Sequence, residues 1–139
     1  SLDNYLMPLI RYKIGDLAIK SSNMSSCKCG RSLPIINKII GRDTDVLHTP
    51  KYKILVVHFF TGIFEHFPEI KQFQVEQIKK GGEIQIRYIE GINFSKNILE
   101  KIKNKIYERA EEDFPLHFSN VEKIKPSPSG KPQIIVRAY

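Results

Sequence analysis

The chain has 139 residues, enough to bury a hydrophobic core and to form one domain with room for part of a second. Its 41% hydrophobic and 27% charged residues are ordinary for a globular protein, and no apolar run approaches the roughly 20 residues that span a bilayer. A net charge of +7 would suit a nucleic acid or another acidic partner, but the lysines are spread along the whole chain, which favours a generally basic surface.

The first part of the chain is predicted to form short β-strands. Residues 6–11 and 12–19 are rich in β-formers, and Gly15 and Asp16 interrupt the run with a turn or bulge. An aspartate after a glycine at such a break usually hydrogen-bonds its own backbone, although its carboxylate can also bind sugar hydroxyls in nucleotide sites. Residues 33–40 return to strand character.

Two cysteines, Cys27 and Cys29, lie in a polar loop between these strands. They are too close in sequence for an unstrained disulfide, and no signal-peptide pattern is present, so a reducing cytoplasm is expected. Two interpretations stay open. The thiols belong to an ordinary loop, or they form half of a zinc site whose other ligands lie upstream of this sequence.

A domain boundary is predicted at the GRDTD segment, residues 41–45, because glycine, aspartate and threonine cluster there. It separates residues 1–40 from residues 41–139. Beyond it, residues 46–49 and 53–56 are expected to form a hairpin.

Periodicity predicts two helices and a second hairpin in the following part of the chain. Apolar residues recur at helical spacing over 58–67, and residues 70–78 and 83–89 alternate as paired strands. Ser95 is expected to cap a helix that runs to about Asp113. One face of this helix is apolar through Ile98, Leu99, Ile102, Ile106 and Ala110.

Short strands over 118–124 and 134–136 complete the predicted elements. The order after the boundary is ββ-α-ββ-α-β with a closing strand. It predicts an α+β fold, a small mixed or antiparallel sheet with helices packed on one side, preceded by a short β-segment.

The proline-rich loop PSPSGKP, residues 126–132, separates the last two strands. Its prolines and glycine exclude regular structure, so Lys131 is expected on a stiff, exposed loop between two anchored elements. The simplest interpretation is a turn with a solvated lysine. In the functional interpretation, Lys131 is a preorganised cation that acts on a negatively charged centre.

Three motifs in a fixed order resemble the C-terminal motifs of the adenylate-forming (ANL) superfamily, which contains acyl-CoA synthetases, peptide-synthetase adenylation domains and luciferases. They are RYKIGDL at 11–17, GRDTD at 41–45 and PSGK at 128–131. Within it, the chain is most similar to the branch of phenylacetate–CoA ligases, coenzyme F390 synthetases and capsular polysaccharide biosynthesis proteins. This similarity is carried by MPLIRY at 7–12, CKCGR at 27–31 and HFFTGIFE at 58–65.

The resemblance implies specific roles for three residues. Asp16 matches the aspartate that binds the ribose hydroxyls of AMP, and Arg42 matches an arginine that also contacts the nucleotide. Lys131 matches the catalytic lysine that touches the carboxylate and the α-phosphate during adenylation. A cation there would offset the repulsion between two anions as they join.

The resemblance also implies a hinge between two half-reactions, at Asp43, Thr44 and Asp45. The chain departs from the family pattern here, since Thr44 stands where an aspartate is common. Residues 50–53 occupy the place of a glycine-containing loop that accompanies the CoA arm. The acceptor of the activated acyl group is therefore CoA, a carrier protein or another nucleophile.

These roles imply the C-terminal fragment of an ATP-dependent carboxylic acid ligase. Residues 1–40 would be the tail of a large N-terminal adenylating domain, and residues 41–139 its mobile C-terminal domain. ATP or AMP with Mg²⁺, CoA and, at the cysteines, zinc are the implied cofactors. The implied partners are the N-terminal domain, a carboxylic acid and a thiol, with neither membrane nor nucleic acid. The fragment alone is expected to be inactive.

The alternative is a stand-alone basic RNA-binding module. Such a module would need aromatic side chains displayed on its sheet for base stacking.

Overall fold

The computed structural model describes residues 5–6, 10, 12–22, 29–127, 130 and 132–139. The chain divides into two compact units, Ser1–Asp43 and Thr44–Tyr139. Within the described residues no helix is long and apolar enough to cross a membrane.

The first unit contains an antiparallel two-stranded ribbon of β1 (Asp16–Lys20) and β2 (Ile36–Arg42). The predicted strand over residues 33–40 was wrong at both ends, because β2 begins later and continues through Arg42. Gly41 does not break the strand. It pairs with Leu17 at φ +143°, while Ala18 pairs with Ile39, so Ile40 is the extra residue of a bulge.

No described residue of the first unit is buried. Ile14, Ile36 and Ile39 are 71%, 59% and 67% exposed, and they lie on or beside the ribbon. A two-stranded ribbon without a hydrophobic layer against it is only marginally stable in water.

The second unit combines a hairpin, two helices and a four-stranded sheet. Its elements are β3 (Val46–His48), β4 (Ile54–Val56), α1 (Val57–Phe64), β5 (Ile70–Gln77), β6 (Ile84–Glu90), α2 (Asn97–Ala110), β7 (Leu116–Asn120) and β8 (Ile135–Arg137). The sheet has the order β7-β6-β5-β8. β5 and β6 pair antiparallel, whereas β7 is parallel to β6 and β8 is parallel to β5. The predicted α+β fold and mixed sheet are confirmed.

Both helices pack their apolar faces against one side of this sheet. Phe60 and Ile63 of α1, and Ile102 and Ile106 of α2, are at most 3% exposed and belong to one hydrophobic cluster with the strands. The ring of Phe64 stacks on Phe73 of β5 with a centroid distance of 3.8 Å. The helices and the sheet of the second unit therefore share one hydrophobic core.

The predicted boundaries of three elements, both helices and the strand after α2, were wrong. Ser95 does not cap α2: the N-cap is Lys96, which makes no side-chain cap bond, and the Ser95 hydroxyl contacts Asn97. The helix ends at Ala110, before the predicted Asp113. The helix predicted over 58–67 ends at Phe64, and the strand predicted over 118–124 lies at 116–120.

The turn between β3 and β4 is attached to the end of α2. The Lys53 ammonium donates to the carbonyl oxygen of Ala110 at 2.7 Å, and the Lys51 amide donates to Glu112 Oε1 at 3.0 Å. Glu111 adopts φ +52° and ends the helix at this point. The turn thus supplies polar partners where the helix backbone has none of its own.

Candidate functional site

Asp16 and Arg42 lie directly opposite each other on the β1–β2 ribbon. Opposed residues of an antiparallel pair place their Cβ atoms about 4.5–5.5 Å apart on one face. Both residues are exposed. The ribbon thus presents a carboxylate and a guanidinium side by side to solvent.

The backbone next to this pair is fixed by a further hydrogen bond. The Asp43 amide, directly after Arg42, donates to the carbonyl oxygen of Gly15, directly before Asp16, at 2.7 Å. Gly15 has φ +78°, a conformation that glycine adopts without strain. The turn predicted at Gly15 therefore sets where β1 begins and so where Asp16 stands.

The predicted hinge residues form a single 3₁₀ turn, Asp43–Asp45, at the division between the two compact units. None of the three is buried, and the Thr44 hydroxyl donates to Asp45 Oδ1 at 2.9 Å. The Asp43 amide at the start of this turn is bound to the Gly15 carbonyl, and the turn buries no side chain.

Cys27 and Lys131 lie outside the described residues. Cys29 is exposed. In the described ranges no group of three His, Cys, Asp or Glu side chains could hold a metal ion. The described residues therefore provide no further ligands for a zinc ion. The metal assignment of Cys27 and Cys29 stays a prediction.

The described residues on either side of Lys131 are attached to the second unit. Ile124 is 8% exposed, and the Gly130 amide donates to the carbonyl oxygen of Ser127 at 2.8 Å. After Lys131, the Gln133 carbonyl accepts a hydrogen bond from Gln74 Nε2 at 2.9 Å, and the Ile134 carbonyl accepts one from the Val75 amide at 2.7 Å. Both ends of the proline-rich loop are thus anchored.

A cleft of about 420 Å³ opens beside the returning end of this loop. Its apolar wall includes Phe64 and Phe73, and Glu65 and Lys71 supply opposite charges to its lining. Pro132, directly after Lys131, lines it too. The cleft therefore offers both apolar and charged contacts next to the loop.

Sequence reasoning missed two buried glutamines of β5. Gln77 is fully buried and satisfied: its Nε2 donates to the carbonyl oxygens of His48 and Gly82 at 2.8 and 3.0 Å. Its Oε1 accepts from the His48 amide and the Tyr139 hydroxyl at 3.2 and 2.8 Å. A polar residue in phase with the apolar Phe73 and Val75 was the available signal for it.

The sheet does not display the aromatic residues that the RNA-binding alternative requires. Among its described strand residues the phenylalanine and tyrosine side chains are Phe73, Tyr88 and Phe118, and all three pack into or against the core. The opposite face is polar, with Arg87 and Glu76 paired at 2.6 Å. Stacking of bases on this sheet has no support from these positions.

The chain matches no protein-family model and no curated protein. Among solved structures it is similar to 2-hydroxyisobutyryl-CoA ligase in the postadenylation state, in complex with R3-HIB-AMP or with 2-HIB-AMP. Both comparisons give a TM-score of 0.56 at 11% sequence identity, and they cover 88% of this chain. The chain spans 27% of the length of each ligase chain.

A domain of phenylacetate-coenzyme A ligase from Bacteroides vulgatus ATCC 8482 also matches, at 12% identity over 68% of this chain and 94% of that chain. Its TM-score of 0.45 does not establish a shared fold. The comparisons therefore show that the fold of this chain is similar to part of a CoA ligase.

Proposed function

We propose that this chain is the C-terminal part of an ATP-dependent ligase that converts a carboxylic acid to its acyl-adenylate and then to a thioester. The observation that carries the proposal is the pairing of Asp16 with Arg42 on one rung of the ribbon. These residues are distant in sequence, and the motif resemblance assigns both to the same nucleotide. The fold similarity to a CoA ligase supports the same reading.

Each member of the pair has a distinct task toward the nucleotide. The Asp16 carboxylate accepts hydrogen bonds from the ribose hydroxyls, as carboxylates do in other nucleotide sites. The guanidinium of Arg42 adds a fixed positive charge and several donors for the nucleotide's oxygen atoms. ATP and Mg²⁺ supply the activated phosphate, and the acyl pocket belongs to the rest of the enzyme.

Lys131 acts at the reacting atoms. Formation of the adenylate brings a carboxylate oxygen to the α-phosphorus while pyrophosphate leaves, so two anions must approach each other. The Lys131 ammonium offsets their repulsion and stabilises the negative charge that develops at phosphorus. A rotation at Asp43, Thr44 and Asp45 then withdraws it, so that CoA or a carrier-protein thiol can attack.

The partner of the ribbon in this proposal is a large N-terminal domain. The exposed isoleucines Ile14, Ile36 and Ile39 would be covered by that domain, which accounts for a unit without any buried described residue. A phenylacetate-type acid, CoA as acceptor and a cytoplasmic location belong to the same proposal.

Acid-dependent ATP–pyrophosphate exchange in the complete enzyme tests this function. With aryl and acyl acids as substrates, Asp16→Asn should raise the KM for ATP by roughly 10- to 100-fold, since one charge-assisted hydrogen bond is worth about 1.5–3 kcal/mol. Asp113→Asn, an exposed aspartate of the second unit, is the matched control and should leave KM unchanged. An unchanged KM in Asp16→Asn would remove Asp16 from the nucleotide site.

A further inference from the structure

Gln74 is a buried polar residue whose position in β5 does not suggest burial. Strand alternation turns it away from Phe73 and Val75, toward the polar face of the sheet, yet only 6% of it is exposed. Its Nε2 donates to the carbonyl oxygen of Gln133 at 2.9 Å. A buried amide of this kind persists when its hydrogen bond replaces the water it has lost.

The Gln74 bond lies next to a backbone bond on the same segment. The Val75 amide donates to the Ile134 carbonyl at 2.7 Å, so two successive carbonyls of the returning loop are held by two successive residues of β5. Beyond this point the pairing of β5 with β8 begins at Val75 and Ile135 and continues without Gln74. Gln74 therefore extends the attachment by one residue toward Lys131.

Pro132 is the only residue between Gln133 and Lys131. Its ring fixes one of the backbone torsions that separate the Gln133 carbonyl from residue 131, and it restricts the residue before it. A constraint on the Gln133 carbonyl therefore limits the positions open to the residues that precede it.

We propose that Gln74 is the positioning residue for Lys131, acting through the Gln133 carbonyl. This inference rests on the proposed function, in which Lys131 is the adenylation lysine. A catalytic cation is effective only when neighbouring groups hold it within a narrow range of positions, and a displacement of about 1 Å can cost 10²-fold in rate. Gln74 touches neither substrate nor nucleotide in this account.

Amide hydrogen exchange on the chain itself tests the structural half of the inference. Gln74→Met keeps a linear side chain of similar length and removes the donor. It should speed exchange of the Val75 amide by about fivefold, since one hydrogen bond contributes about 1 kcal/mol. Gln85→Met is the matched control, because Gln85 is half-buried on the same face and pairs with Glu76. Equal exchange in Gln74→Met and wild type would overturn the inference.

Pyrophosphate exchange in the complete enzyme tests the functional half. Gln74→Met should lower kcat by roughly tenfold with the KM for ATP unchanged, because the lysine is displaced while the nucleotide contacts remain. In the Lys131→Ala background the same substitution should have no further effect, since Gln74 acts through Lys131. The ionised carboxylate of Gln74→Glu also lacks the donor. This second variant should lower kcat in the same way, and it replaces Gln74→Met if that variant folds poorly.

The outcomes separate this inference from the proposed function. If Lys131→Ala lowers exchange but Gln74→Met and Gln74→Glu do not, the positioning role is wrong and the function stands. If the Gln74 substitutions lower exchange equally with and without Lys131, Gln74 acts on general stability and the inference fails. If Lys131→Ala has no effect, the proposed function itself fails.

Discussion

The buried Glu112 carboxyl group connects the end of α2 to the turn between β3 and β4. It is 6% exposed and accepts a hydrogen bond from the Lys51 amide at 3.0 Å. Burial acts to raise the pKa of its carboxyl group. The hydrogen bonds from Thr49 and Lys51, with the charges of Lys51 and Lys53, outweigh that effect and leave the pKa below its ordinary value of 4.5. The charged form is therefore the one that the fold prefers.

This pKa shift predicts an acid-sensitive contribution to stability. Because the folded-state pKa lies below 4.5, the unfolded chain takes up a proton more readily than the folded chain does. The contribution is fully present above pH 4.5 and is lost as the pH falls through the folded-state pKa. Urea unfolding at pH 7 should show a lower midpoint for Glu112→Gln than for wild type, and the difference should vanish at low pH.

Glu111→Gln is the matched control for this experiment. Glu111 pairs with Lys53 at 3.3 Å, but its side chain is 84% exposed, and exposed ion pairs contribute little. Its midpoint should stay close to that of wild type at both pH values. A pH-independent difference between Glu112→Gln and wild type would show that packing, and not the charge of Glu112, is responsible.

Apolar periodicity predicted the helices and hairpins that pack against the core. The face of α2 through Ile98, Ile102, Ile106 and Ala110 is buried as predicted, and both hairpins of the second unit form. The ends could not be predicted in the same way. The Lys53 ammonium binds the Ala110 carbonyl in the last turn of α2, although the two residues are far apart in sequence. A local sequence pattern does not predict such a contact.

The burial of Gln74 could not be predicted from the sequence pattern either. Gln74 occupies a position that alternation assigns to solvent, yet it is buried and donates a hydrogen bond to Gln133 of the returning loop. The pairing of Asp16 with Arg42 also depends on register, and the bulge at Ile40 sets that register. The motifs predicted these two residues, but their spatial relation needed the structure.

The helix face gives a direct test of where the core lies. Ile102 is fully buried between α2 and the sheet, so Ile102→Ala should lower the free energy of unfolding by about 2–5 kcal/mol through lost burial and a cavity. Ile92→Ala removes the same atoms from a side chain that is 85% exposed and should change it by less than about 0.5 kcal/mol. Chemical denaturation of both variants measures the difference. Equal losses would contradict the assigned core.

The two units differ in how far their described residues are buried. The second unit contains the hydrophobic cluster, whereas the described residues of the first unit bury none of their side chains. Of the residues assigned to the proposed function, Asp16 and Arg42 belong to the first unit, and Lys131 belongs to the sequence range of the second.

We propose that the Lys131 ammonium promotes acyl-adenylate formation, and a comparison of three forms of the enzyme tests this role. ATP–pyrophosphate exchange and the consumption of supplied acyl-adenylate by thiol are measured for wild type, Lys131→Ala and Lys125→Ala in the complete enzyme. Lys125 is an exposed lysine before the same loop and serves as the control. Only Lys131→Ala should lose exchange, by roughly 10²-fold or more, while thiol transfer continues. Exchange that is unchanged in Lys131→Ala would contradict it and leave the loop as a proline-rich turn.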